Sequence, residues 1–136
     1  MFNRMFNHIN LMEKSLDTLW LRQEVIAHNI ANAETPGYKT QHVEFEEAFR
    51  QALVQNQGQL ALKTSTPGHI TITTGTPMDI QPVVVRENWH TKRMDGNNVD
   101  IDGEMTELAA NTIQYNLTVQ KLTGEMQRLR TAIAGT

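Results

Sequence analysis

Two segments at opposite ends of this chain repeat apolar residues at alternating steps of three and four, and this heptad spacing strongly constrains the fold. Such spacing aligns side chains in one seam along an α-helix, and the seam must be buried against another helix. The N-terminal seam comprises Ile9, Met12, Leu16, Leu19, Gln23, Ile26, Ile30 and Ala33. The C-terminal seam comprises Met105, Leu108, Thr112, Tyr115, Val119, Leu122, Met126, Leu129 and Ile133.

These seams predict a mainly α fold in which two long terminal helices pack antiparallel as a coiled-coil-like pair. We expect a discontinuous helical core formed by residues 1–35 and 103–136. Residues 36–102 then form a middle segment with a turn, a short helix, a small β element and loops. The second helix is expected to run from Glu104 and to stop at Gly135, because glycine is common just after a helix end.

The middle segment contains one helical and two strand patterns. Phe45, Phe49 and Leu53 recur at four-residue spacing, which predicts a short helix. Residues 69–74 alternate and are β-branched, and residues 82–86 form a second strand candidate that begins at a proline. A β element of this size is too short to fold alone.

A helix stop and a turn separate the first helix from the middle segment. Thr35 precedes a proline, which biases it away from helical backbone. Pro36 and Gly37 supply the fixed negative φ and the permissive positive φ that a type II turn requires. The chain therefore changes direction at this point.

Several apolar residues fall outside the two seams. They are Leu11, Trp20, Leu21 and Val25 on the first helix and Ala109, Ile113 and Leu117 on the second. Two helices packed only on each other would leave these residues in water, so the pattern indicates further helices from other chains. Gln23 is the polar member of its seam, and it either fixes the register of the helices or lies at the edge of a broad interface.

Chemistry at a catalytic, metal or nucleic-acid site is not indicated. The start of a calcium loop is matched by Asn98, Asp100, Asp102 and Gly103, but Ala109 stands where a bidentate Glu is needed. The favoured interpretation of this segment is therefore a turn followed by the start of a helix. The five histidines include no helical metal pair, there is no cysteine, and the net charge is −3. We predict no enzyme activity, no cofactor, no metal, no nucleic-acid partner and no small-molecule substrate.

The N-terminus and the hydropathy bear on location. The first ten residues lack the apolar core and cleavage site of a secretory signal peptide, and no run approaches the eighteen apolar residues of a membrane span. Without further information the chain reads as cytosolic.

Two motifs resemble the axial proteins of the bacterial flagellum. The first is ANAETPGYK at residues 31–39, preceded by IAHNI, and the second is DGNNVDIDGEMTELA at residues 95–109, followed by NTIQY. The second motif and the short chain are similar to the proximal rod subunits within that family. The motif residues are Asn29, Ala31, Asn32, Thr35, Pro36, Gly37, Tyr38, Lys39, Asp95, Gly96, Asn97, Asn98, Val99 and Asp100.

The resemblance implies a structural subunit of the flagellar basal-body rod, which assembles helically into the drive shaft that carries torque from motor to hook. It implies as partners copies of the chain itself, other rod subunits, the membrane-ring adaptor protein and the flagellar export apparatus. It also implies a final location outside the cytoplasmic membrane after export without a cleaved signal. The alternative is a soluble coiled-coil adaptor or export chaperone of the flagellar system, which leaves the TPGYK turn and the apolar residues outside the seams unexplained.

Overall fold

The structure is a computed structural model, and it describes residues 2–46, 49–50, 80–88 and 93–135. In chain order the elements are α1 (Phe2–Ala31), β1 (Gln41–Glu44), β2 (Val83–Arg86) and α2 (Ile101–Ala134). Two long helices pack against each other, and a small antiparallel sheet lies between them in the chain order. The predicted mainly α class is therefore confirmed.

The two helices run antiparallel. The Asn111 side-chain Nδ2 donates to the Leu19 carbonyl at 2.9 Å, and Asn29 Nδ2 donates to the Glu104 carboxylate at 3.1 Å. Residue numbers along α2 therefore rise as those along α1 fall. The antiparallel pairing brings the C-terminal end of α1 beside the N-terminal end of α2.

The buried face of α1 shares half of its positions with the predicted seam. Every second member of the seam is buried, at a spacing of seven residues: Met12, Leu19, Ile26 and Ala33. The alternating seam members Ile9, Leu16 and Ile30 are half-buried, and Gln23 is exposed. The buried face is completed instead by Thr18, Val25 and Asn29. The intrachain contact is thus rotated away from the seam, because α1 packs against β1 as well as α2.

The face that α2 turns toward α1 agrees with the predicted seam only in part. At every second position this face includes the residue directly before the seam residue. One row of half-buried or buried residues recurs there at steps of four and three: Glu104, Leu108, Asn111, Tyr115, Thr118, Leu122, Glu125 and Leu129. Val119 and Gly124 beside this row are half-buried as well. Four of the eight residues in the row are seam residues. The other four are polar, and each directly precedes a seam residue. Met105, Thr112 and Met126, which follow three of them, remain exposed.

The sheet confirms one of the two strands predicted in the middle segment and adds a strand that was not predicted. β1 and β2 pair antiparallel with Gln41 opposite Arg86 and Glu44 opposite Val83, so the strand predicted over residues 82–86 is confirmed. β1 was not predicted from the sequence, and its residue Val43 is buried.

Helical backbone begins after β1, at residue 46. The Phe49 amide donates to the Phe45 carbonyl at 2.9 Å, and the two rings stack with centroids 4.9 Å apart. Leu53 and the strand predicted over residues 69–74 lie outside the described residues.

The ends of α2 are set by short-range hydrogen bonds. The helix begins at Ile101 rather than Glu104, because Asp100 acts as its N-cap and its Oδ1 accepts from the Gly103 amide at 3.3 Å. Gly135 has a φ of 70°, and its amide donates to the Thr131 carbonyl at 3.2 Å, which confirms the predicted stop. No helix within the described residues is long and apolar enough to cross a bilayer.

Candidate functional site

The two family-like motifs, far apart in the chain, meet at one place. We call this contact between residues 29–39 and 95–100 the motif junction. It lies where α1 ends and α2 begins. The Gly37 amide donates to the Asp95 carbonyl at 2.9 Å, which ties the turn after α1 to the loop before α2.

Two glycines allow this close approach. Gly37 has a φ of 72° and the Tyr38 amide donates to the Thr35 carbonyl at 3.3 Å, which confirms the predicted turn around Pro36. Gly96 has a φ of 83°, and a Cβ at that residue would lie 3.5 Å from Gly37 Cα. Both residues adopt left-handed backbone that a β-branched side chain disfavours.

Asn97 closes the C-terminal end of α1. Its side chain is fully buried, and its Nδ2 donates to the carbonyls of Asn32, Ala33 and Thr35 at 3.0, 3.0 and 2.9 Å. Its Oδ1 accepts from the Val99 amide at 2.7 Å. These three carbonyls belong to the turn that follows α1, so a loop distant in sequence fixes the chain where it leaves the helix.

Asn29 joins three elements from within α1. Its side chain is only 1% exposed and bonds to both the amide and the carbonyl of Gln41, at 3.0 and 2.7 Å. Its Oδ1 also accepts from the Tyr38 hydroxyl at 3.1 Å, and its Nδ2 donates to Glu104 at 3.1 Å. One amide therefore fixes the start of β1, the turn and the first turn of α2 against α1.

Asn98 and Arg93 complete the junction. Asn98 Oδ1 accepts from the Thr40 amide at 2.7 Å, which anchors the segment that leads into β1. Arg93 Nη1 donates to the Ala33 carbonyl at 3.2 Å, and its Nε lies 3.5 Å from the Asp95 carboxylate. These bonds hold the loop before α2 on the end of α1.

Burial changes the ionisation of two groups here. Desolvation raises the pKa of the Glu104 carboxyl; the Asn29 hydrogen bond opposes this shift, and the charges of Glu107, Asp100 and Glu87 add to it. Desolvation also raises the pKa of the Tyr38 hydroxyl. The positive charge of Arg86 opposes this shift, and the negative charge of Glu104 adds to it.

The remaining motif residues have varied surroundings. Val99 is buried and Lys39 is half-buried, whereas Ala31, Thr35 and Pro36 are exposed.

Asn32 also bonds a carbonyl near the end of α1, since its Nδ2 donates to the His28 carbonyl at 2.8 Å. Sequence reasoning missed the roles of Glu104, Arg93 and Asn111 because each depends on a partner distant in the chain. Three polar residues at heptad spacing on the inner face of α2, Glu104, Asn111 and Thr118, are the signal that could have indicated two of them.

Both helices also carry large apolar side chains in water. On α1, Phe6 and Trp20 are exposed, Trp20 by 61%. On α2, the exposed members include Met105, Ile113 and Leu117, Ile113 by 61%. These side chains have no apolar cover within the described part of the subunit.

Residues 16–39, which contain the helix end and the turn, match a family described as flagella basal body rod protein. The flagellar basal body rod protein FlgB of Bacillus subtilis is 34% identical over 127 residues, which cover 93% of each chain. The FlgB proteins of Buchnera aphidicola and Escherichia coli are each 29% identical, over 99% and 93% of this chain and 100% and 93% of their own lengths. The chain belongs to the FlgB family.

Family membership supports a structural role in the rod of the flagellar basal body. The geometry is consistent with such a role, since the motif residues bond to one another and to the backbone. Within the described residues, no three His, Asp or Glu side chains cluster closely enough to hold a metal ion. The hydrogen bonds of the motif junction fix α1 and α2 against each other.

Proposed function

We propose that this FlgB-family chain assembles helically with copies of itself and with other rod subunits, and that the assembled rod transmits torque from motor to hook. The observation that carries the proposal is the set of exposed apolar side chains on both long helices of one small subunit. Burying one such side chain contributes roughly 1.5–3 kcal/mol. Assembly through these faces would therefore be strongly favourable.

The motif junction supports the proposed transmission of torque. Torque on a helical pair is resisted only if the two helices cannot slide or rotate against each other. Asn29 bonds from α1 to β1 and to Glu104 of α2, and the buried Asn97 bonds from the loop before α2 to the turn after α1. A polar network of this kind specifies one arrangement, because a displacement leaves polar groups unpaired.

The proposal extends to delivery and location. We propose that the flagellar export apparatus carries the chain across the cytoplasmic membrane without cleavage of a signal, and that a membrane-ring adaptor protein holds the base of the rod. A soluble adaptor or export chaperone would instead remain in the cytoplasm and would not sediment with purified basal bodies. Fractionation of cells therefore separates the two alternatives.

Ile113→Asp tests the apolar faces directly. Ile113 is exposed in the subunit, so the substitution should change the free energy of unfolding of the purified chain by less than about 0.5 kcal/mol. In the rod it would bury an unpaired carboxylate, which costs several kcal/mol. We expect cells with this variant to export the chain but to be non-motile and to lack complete rods by electron microscopy.

The matched control is Asn88→Asp, an exposed polar residue after β2 that belongs to neither helix. It introduces the same charge without removing an apolar side chain, and motility should persist. Normal rods in the Ile113→Asp strain would show that this face stays in water and would count against the proposed assembly.

A further inference from the structure

One buried polar atom of the described residues has no hydrogen-bond partner, and it lies outside the motif junction. Asn111 is 3% exposed, and its Nδ2 is satisfied by the Leu19 carbonyl, but its Oδ1 accepts from no donor. A buried acceptor left unpaired costs about 1–3 kcal/mol. Such a cost calls for a donor that the isolated subunit does not supply.

Asn111 lines a groove between β1 and α2. Two adjoining cavities of about 340 and 530 Å³ share Gln41, His42 and Glu107, and together they form this groove. Among the described residues, its walls carry five carboxylates and one guanidinium, that of Arg22, which pairs with Glu46. We call it the acidic groove and define it by Glu46, Glu87, Asp100, Glu104, Glu107 and Asn111.

The carboxylates of the acidic groove repel one another. Glu87, Asp100 and Glu107 all act to raise the pKa of Glu104, which shows that their charges reach the same point. A cation in the groove would offset this repulsion. An arginine fits both requirements, because a guanidinium carries five N–H donors and no acceptor and so suits carboxylates and an unpaired amide oxygen together.

The opposite end of α2 supplies such groups. Its last fourteen residues, 121–134, include Lys121, Arg128 and Arg130, with Glu125 as the one acidic residue of that stretch. Arg128 bonds to Glu125 at 3.0 Å, but its side chain is 80% exposed, so this pair is weak. Lys121 and Arg130 form no ion pair with any residue that the structure describes.

We propose that the acidic groove of one subunit receives the arginine-bearing C-terminal end of α2, with Arg128 and Arg130, from a second copy of this chain. The inference rests on the proposed rod function and specifies one of its contacts. The two surfaces are different and lie at opposite ends of α2, so the contact is heterologous. A heterologous contact that does not close into a ring generates a helical filament.

Disulfide trapping tests the contact, since the chain has no cysteine of its own. One chain carries Ala110→Cys at the groove, and a second, tagged chain carries Gln127→Cys beside Arg128. Residues 110 and 127 lie about 25 Å apart along one helix, too far for a disulfide, whose Cα atoms stand about 4–7 Å apart. We expect the mixed disulfide to form several-fold faster than either homodisulfide in the full-length proteins.

Charge reversal provides the control. Glu107→Lys in one chain, or Arg128→Glu in the other, should slow the mixed disulfide, and the two changes together should restore it. Glu13→Lys, an exposed carboxylate outside the groove, should have no effect. High salt should slow the trapping, because at about 1 M the Debye length falls to about 3 Å.

Two outcomes overturn the inference: homodisulfides that form as fast as the mixed one, or reversed charges that do not rescue each other. The rod function is judged separately by restoring motility to a deletion strain with the unaltered gene. If the unaltered gene restores swimming while Glu107→Lys and Arg128→Glu both swim normally, the rod function stands and the groove contact fails.

Discussion

Asn97→Asp keeps the shape of a buried side chain and reverses its hydrogen-bonding character. In the native structure Asn97 Nδ2 faces three carbonyl oxygens at 2.9–3.0 Å. The substitution replaces this donor by a carboxylate oxygen. In its ionised form a carboxylate has no proton to donate and acts only as an acceptor. The turn after α1 loses these donors, and an anion is placed beside three carbonyl oxygens that carry partial negative charge.

The magnitude follows from the full burial of Asn97. Leaving one buried charge without a partner costs about 3–5 kcal/mol. This is a large part of the roughly 5–15 kcal/mol by which domains are stable. The cost depends on pH, because the carboxyl of residue 97 would have a folded pKa raised above the ordinary aspartate value of about 3.9. The variant should therefore be least stable at neutral pH and should regain stability as the pH falls toward 4.

Urea unfolding of the purified chain followed by circular dichroism at pH 4 and 7 measures both effects. Asn88→Asp is the matched control, since Asn88 is exposed after β2 and should tolerate the same change at either pH. If Asn97→Asp unfolds at the same urea concentration as the unaltered chain at pH 7, Asn97 does not hold the end of α1. A loss of stability without the pH dependence would show that packing, rather than charge, is what the substitution disturbs.

Two further predictions concern the same junction. Gly37 has a φ of 72° and no atom within 4 Å of an added Cβ, so Gly37→Val adds only backbone strain of about 1–3 kcal/mol. It should block motility by changing the turn, whereas Gly37→Asn, which tolerates positive φ, should preserve part of it; equal swimming halos for the two would contradict this reasoning. Burial raises the pKa of Glu104, so ionisation of this carboxyl destabilises the folded state. The free energy of unfolding therefore falls as the pH rises from the ordinary carboxyl pKa through the raised one. Glu104→Gln should therefore be more stable than the unaltered chain at pH 7 and gain less at pH 4 in urea unfolding, with the exposed Glu24→Gln unchanged; a less stable Gln variant at pH 7 would refute the desolvation argument.

The helices and the turn could be predicted from the sequence because their signals are local. Apolar spacing extends over many turns in both helices, and Pro36-Gly37 specifies its own backbone geometry. β1 could not be predicted in the same way. Residues 41–44 contain one buried apolar side chain, Val43, which is too short a pattern to indicate a strand, and the pairing with β2 across the middle segment makes them one.

The motif junction was predictable as a set of residues but not as a set of contacts. The resemblance pointed to Asn29, Asn97 and Asn98 without indicating that one motif closes the helix of the other. An asparagine bonds to whichever backbone groups lie near it, and that proximity is a property of the tertiary fold. The sequence predicts a polar role for these residues and leaves the partner unspecified.

The displacement between the predicted seam and the observed contact face of α2 has a physical meaning. Inside the subunit α2 presents Glu104, Asn111, Thr118 and Glu125 toward α1, and polar residues contribute little hydrophobic free energy there. Met105 and Met126, one residue later, remain in water. Under the proposed rod function these side chains are buried only when other subunits cover them. The apolar periodicity of α2 then reflects two contacts at once. Leu108, Tyr115, Leu122 and Leu129 lie on the face toward α1, whereas Met105 and Met126 are left for contacts between chains.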